Sequence, residues 1–222
     1  MAAVKAPLQP RKTPVQARST YTVESIFEAC IQVLLQSGIQ RLTTTRVAER
    51  AGVSIGTLYQ YFPNKQAMLL AVLERHLLHV AQAVGVACAE AKGQPVEVIA
   101  RRLVDSFLDA KLERPDVSVA LYSVAQEASG TAILARITQQ AQLDICDLLA
   151  TAPDARFVDL QLTTFVLSTS LVGPVQAVLA AGASRSLVQG VRAQMHLMIA
   201  AYLSCAATTE SEQQPARRRH HG

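Results

Sequence analysis

Apolar residues recur along this chain at helical spacing, and no stretch alternates as a half-buried strand would. The first such pattern predicts a helix from about Ser19 to Ser37, with Ile26, Cys30, Val33 and Leu34 as its inner stripe and Gly38 as its stop. Two short helices are expected next, at about Thr44–Ala51 and Ser54–Tyr61. Gly52 lies between them and Ser54 is placed to cap the second. Pro63 ends that helix, because a residue before proline avoids helical geometry. Asn64 then caps a long helix to about Ala91, whose inner face is Met68, Val72, Leu73, Leu77, Val80 and Val84. Four or five further helices follow, divided near Gln94-Pro95, Arg114-Pro115, Gly130 and Pro153, with a break near Ala181-Gly182 between the last two.

This pattern implies an all-α protein with an N-terminal three-helix unit and a larger helical domain. The expected division is a flexible basic arm at 1–18, a helix-turn-helix unit at 19–65, a helical domain at 66–208 and a disordered tail from 209 to 222. Half of the 222 residues are apolar and 17% are charged, which suits a packed globular chain. The net charge of +4 is unevenly spread: residues 1–65 carry +5 and residues 66–222 carry −1. Such an asymmetry points to an anionic partner at the N-terminal end.

Residues 160–184 hold no charge and are long enough to cross a bilayer. Gln161, Thr163, Thr164, Ser168, Thr169, Ser170, Pro174 and Gln176 argue instead for a buried or partner-facing helix. Cys30, Cys88, Cys146 and Cys205 are too far apart for a zinc or redox motif. No metal or cofactor is expected, and no catalytic residue is assigned, since phosphate loops, nucleophile elbows and paired carboxylates are all missing from the sequence. Glu127 and Asp144 stand as isolated acids. The N-terminus has no apolar core of a secretion signal, so a cytoplasmic location with no membrane partner is expected.

The most informative segment is Leu42–Lys65, LTTTRVAERAGVSIGTLYQYFPNK. Val47 and Ala48 suit a core-facing side, Ala51-Gly52-Val53 a tight turn, and Val53 and Leu58 a shared anchor. Ser54, Ile55, Gly56, Thr57, Tyr59, Gln60 and Tyr61 are left for outward display. Hydroxyls can donate to phosphates, and glutamine can read an adenine edge. The segment closely resembles the DNA-binding domain of the TetR family of bacterial regulators over about Ser19 to Leu70.

That resemblance implies roles residue by residue. Thr44 and Thr45 would hold phosphates from the start of the supporting helix. Ser54, Ile55, Gly56 and Gln60 would face the major groove. Thr57, Tyr59, Tyr61 and Lys65 would mainly hold phosphates. Ile55 departs from the polar residue common there and suits a thymine methyl. The resemblance further implies a repressor that leaves a palindromic operator on duplex DNA when an unknown small-molecule effector binds, and a homodimer built on the last two long helices. Val178 and Met198 are expected at that dimer surface. For the effector pocket the candidates are Leu77, Val80, Phe107, Tyr122, Gln126 and Phe165, which combine apolar walls with a few polar groups. An enzyme with a cofactor in its helical core and a membrane-associated helical protein are the competing classes.

Overall fold

The computed structural model describes residues 17–126 and 128–207, so the basic arm up to residue 16, Glu127 and the tail from 208 lie outside the described residues. Nine helices are described: α1 (Ala17–Arg41), α2 (Thr44–Ala51), α3 (Ile55–Tyr61), α4 (Lys65–Glu90), α5 (Val96–Leu112), α6 (Pro115–Ala125), α7 (Ala128–Leu149), α8 (Leu160–Ala180) and α9 (Arg185–Ala206). The all-helical class read from the sequence is what the structure shows. Gly38 does interrupt α1, with φ 72° and ψ 168°, but a last helical turn follows it to Arg41.

The helix boundaries have local causes. Thr43 caps α2 by accepting the Arg46 N–H, and Gly52 at φ 68° closes it in the left-handed region that favours glycine. The Ser54 hydroxyl accepts the Thr57 N–H at 3.0 Å, which starts α3. The Asn64 side chain accepts the Ala67 N–H at 2.7 Å at the start of α4. Pro115 opens α6 at a position where its missing N–H costs nothing.

Gly130 is a correction. The break expected near it falls between Ala125, the end of α6, and Ala128, the start of α7, so Gly130 lies in the first turn of α7. It is glycine for another reason: a Cβ there would stand 2.3 Å from the Val124 carbonyl oxygen.

The chain packs as two compact units. The first holds the described residues up to His79 together with Arg114–Ile137. Its core joins Ile26, Cys30 and Val33 of α1, Val47 and Ala48 of α2, Leu58 of α3 and Met68, Val72 and Leu73 of α4 with Val117, Leu121 and Val124 of α6. Burying these side chains stabilises the unit at about 25 cal/mol per Å² of apolar surface removed from water. The expected boundary at 65/66 therefore falls at the first residue of α4, inside this unit.

The second unit holds Val80–Glu113 and the described residues from Thr138 onward. Here α5 packs on α8 and α9. Arg192 of α9 donates to Asp105 at 2.6 Å and also to Asp109, and His196 Nε2 meets Asp105 at 2.9 Å, so three polar contacts among four side chains fix α9 on α5. The loop before α8 caps α5, with the Asp154 carboxylate accepting the Val96 N–H at 2.9 Å.

Among the described residues two helices, α4 and α8, are long and apolar enough to cross a bilayer by length and composition. Both instead supply buried side chains to a core, including Met68 and Leu73 from α4 and Leu167, Leu171 and Val175 from α8. Four hydroxyls of α8 are satisfied within the chain's own backbone. Those of Thr163, Thr164, Ser168 and Thr169 each donate to a carbonyl one turn back on the same helix.

Candidate nucleic-acid interface

The helix-turn-helix is built outward from three buried anchors. Val47 and Ala48 on α2 and Leu58 on α3 are within 2% of complete burial, so α2 and α3 cross over one small core. Ala48 also accepts the N–H of Val53, and Gly52 bonds Glu49, which tightens the turn. Leu58 is the one buried residue of α3. Fixing it turns Ser54, Ile55, Gly56, Tyr59 and Gln60 to solvent, as expected from the sequence. Val53 is only partly buried, and so anchors less than Leu58.

Two of the expected phosphate ligands are joined. The Tyr59 hydroxyl, on a side chain 41% exposed, lies 3.0 Å from Thr44 Oγ1. One hydroxyl of the pair must donate to the other, leaving a single outward-facing proton and shared acceptor lone pairs. Thr45 is exposed beside Thr44. Ser54 and Thr57 are also coupled: their hydroxyls are 2.8 Å apart while Ser54 caps the helix. Ser54 thus has a structural duty besides any contact with a base.

Tyr61 and Lys65 are placed differently from the rest. Tyr61 is half-buried, packs against the unit's core and stacks at a tilt near Phe62, with ring centroids 6.5 Å apart. Lys65 directs its ammonium at the Ile39 carbonyl oxygen, 2.5 Å away at the end of α1.

The positive face has members that the motif left out. Arg41, Arg46 and Arg50 are exposed, with Arg46 Nη1 on the Arg41 carbonyl at 3.1 Å and Arg50 Nε on Gln32 Oε1 at 2.6 Å. The one available signal was a basic residue in each turn of α2, which charge counting recorded but did not place.

An open cleft of about 410 Å³ lies behind α2, lined by Glu24, Ser25, Glu28, Ala29, Gln32, Arg50 and Ala51. Arg75 bridges Glu24 at 2.5 Å and stands over the Phe27 ring, 5.1 Å from its centroid. Arg114 forks onto both oxygens of Glu28, at 2.8 and 3.4 Å. That guanidinium beside it holds the Glu28 carboxyl below its usual range.

The six residues expected to meet an effector are divided between the units. In the first unit Leu77 and Tyr122 are half-buried, while Gln126 is exposed and forms the end of α6. Burial raises the Tyr122 hydroxyl above its ordinary pKa. In the same unit Ser118 Oγ lies 3.3 Å from His76 Nε2. In the second unit Val80 is buried and Phe107 half-buried. Phe165 faces outward at 53% exposure, on a stripe of α8 with Leu162 and Val172. Val178 is also a correction. It is 1% exposed within its own chain, so it belongs to the core of the second unit, whereas Met198 is exposed.

Two family models match the chain. Residues 26–72 match the model for bacterial regulatory proteins of the tetR family. Residues 95–203 match a tetracyclin repressor-like C-terminal domain. Among curated relatives, the Nucleoid occlusion factor SlmA of Glaesserella parasuis is 29% identical over 96 residues, 43% of this chain and 46% of that protein. The match therefore spans less than half the length of that relative, and about a quarter of the next ones. Among solved structures, a TetR transcription regulator from Haloarcula marismortui overlays with a TM-score of 0.69 at 19% identity, covering 85% of this chain and all of that one. The fatty acid degradation regulator FadR of Bacillus halodurans gives a TM-score of 0.68 at 17% identity, with 85% and 96% covered. At these identities the overlays speak to the fold alone. With one family model lying on the helix-turn-helix and a second on the helices that follow, the chain belongs to the TetR family of DNA-binding transcriptional regulators.

Proposed function

We propose that this regulator is a cytoplasmic homodimeric repressor that reads a palindromic operator and releases it when a small effector binds. The observation that carries the DNA-reading part is the outer face of α3. Fixing Leu58 inward leaves Ser54, Ile55, Gly56 and Gln60 for the major groove. Thr44, Thr45, Thr57, Tyr59 and Tyr61 surround them as phosphate ligands. Ile55 contacts a thymine methyl, and Gln60 pairs with an adenine edge.

Support for the dimer comes from the second unit. Leu162, Phe165 and Val172 on α8 and Leu187, Leu197 and Met198 on α9 are large apolar side chains left exposed by the single chain. Gly173 and Gly190 on the same helices have open space where a Cβ would stand. Both features suit close helix packing by a second copy. A two-fold dimer sets its recognition helices about 34–36 Å apart, which requires a palindrome.

Operator selection from random duplexes tests the reading. Tyr59→Phe should weaken all selected operators alike, by about 1 kcal/mol. Gln60→Ala should relax preference at one position, at a cost of ~1–3 kcal/mol there. If both variants bind the selected operator as the wild type does, α3 is not the reading helix. Effector control has its own test. Linkage requires operator DNA to weaken effector binding by the same factor that the effector weakens the DNA. Calorimetry with and without operator measures that factor, and equal affinities would exclude release by this effector.

A further inference from the structure

The end of α1 gathers cations from both helices that flank the recognition helix in sequence. Lys65, the first residue of α4, gives its ammonium to the Ile39 carbonyl. Arg46, in the first turn of α2, gives Nη1–H to the Arg41 carbonyl. Both carbonyls belong to the single turn that follows the Gly38 interruption. A helix C-terminus carries partial negative charge, so cations there are favourable and charge-assisted bonds to carbonyls are stronger than neutral ones. The bond between the Lys65 ammonium and the Ile39 carbonyl is itself partly buried.

The geometry matters because α3 has only seven residues. A helix that short does not hold itself, and its direction is imposed by what comes before and after. Before it stands α2, tied to the end of α1 by Arg46, with Val47 and Ala48 buried in the core it shares with α1. After it come Phe62, which is buried, then Pro63 and Asn64, and then Lys65 on the same stretch of α1. Both ends of the reading segment are thus referred to one point, residues 39–41.

We propose that Lys65 is a positioning residue for DNA reading, which fixes the exit of α3 to the end of α1, rather than a phosphate ligand. This rests on α3 being the reading helix, and the two ideas fail differently. If the wild-type protein selects no DNA sequence, the reading of α3 fails before any variant is made.

The test of Lys65 compares wild type, Lys65→Met and Lys65→Arg on the selected operator across about 50–200 mM salt, at a temperature where circular dichroism shows every variant fully folded. A positioning role predicts that Lys65→Met loses about tenfold in affinity on all operators alike, the scale of one charge-assisted hydrogen bond. The slope of log K against log salt should match the wild type. Lys65→Arg keeps a donor for the Ile39 carbonyl and should recover most of the loss. A slope shallower by about 0.9 would make Lys65 a phosphate ligand and overturn the proposal. Unchanged affinity with only a lower melting temperature would make it a structural cap, and would also overturn it. If Lys65→Met does not fold, Lys65→Gln replaces it, since it keeps an N–H donor but removes the charge. For that variant too, an unchanged slope with weaker binding supports positioning and a shallower slope refutes it.

Discussion

Lys111, in the last turn of α5, is 7% exposed, and burial pulls its ammonium down to about 8 from an ordinary 10.5. Between those two values the unfolded chain holds a proton that the folded chain has released, so stability rises with pH across that window. At pH 7 the charge is present in both states and its burial costs the folded one. Lys111→Met should therefore raise stability at neutral pH by about 1–4 kcal/mol, the range for replacing a buried ion with a packed apolar chain. Melts at neutral pH and near pH 10 decide the matter, because the gain must shrink at the higher pH. The cysteines give a second outcome at this scale. Burial pushes the Cys30 thiol up to about 12 and the Cys88 thiol to about 11, while Cys205 is exposed. Alkylation of the native protein, followed by mass spectrometry, should label Cys205 first and Cys30 last. Sequence reading anticipated Cys30 as an inward thiol, because its place in the α1 stripe fixed its direction. Nothing comparable marked Lys111, since a lysine on an amphipathic helix is ordinarily solvated.

The inward face of α1 and the caps at Ser54 and Asn64 were legible in the sequence, because capping and helical period depend on residues close in the chain. Gly130 shows where that reasoning stops. Within a helix, glycine to alanine ordinarily gains up to about 1 kcal/mol. At Gly130 the added methyl would press on the backbone of Val124 and Ala125, which cannot swing aside like a side chain. Overpacking of that kind costs ~1–3 kcal/mol, so Gly130→Ala should lower the urea midpoint despite better propensity. The Glu28–Arg114 fork is a contact of the same long-range kind, 86 residues apart. A carboxyl held below its usual range contributes stability above its unfolded pKa, and that contribution disappears as pH falls through the folded value. Glu28→Gln should then destabilise the protein by up to about 1 kcal/mol at pH 7, a modest effect because the pair is solvent-exposed. Melting curves of variant and wild type should converge under acidic conditions.

Across the whole molecule, the family and the all-helical class could be read early because one 24-residue motif is dense with turn, cap and anchor residues. The proposed dimer surface could be assigned only to the level of its helices, since α8 is uncharged all round and its period does not single out one face. Val178 and Met198 looked alike in the sequence and are opposite in the structure. The outcomes of charging them should differ accordingly. Met198→Asp should yield a folded monomer in analytical ultracentrifugation, while Val178→Asp, an unpaired charge in the chain's own core, should lose the folded state. A folded dimer from Met198→Asp would place the subunit contact elsewhere.

The first compact unit is discontinuous, drawing Val117, Leu121 and Val124 of α6 into the core of α1, α2, α3 and α4. During synthesis these pieces emerge at different times. At about 5–20 residues per second, the roughly 60 residues between the motif and the end of α6 take several seconds to appear. Over that interval the nascent helix-turn-helix has no cover for the apolar side that α6 later closes. A premature stop within α5 would therefore release a fragment that carries the whole reading motif with an open core. Such a fragment is a natural client for chaperones and proteases, and a poor competitor for the operator. The order of elements along the chain thus ties possession of a working DNA-reading unit to having translated well beyond it.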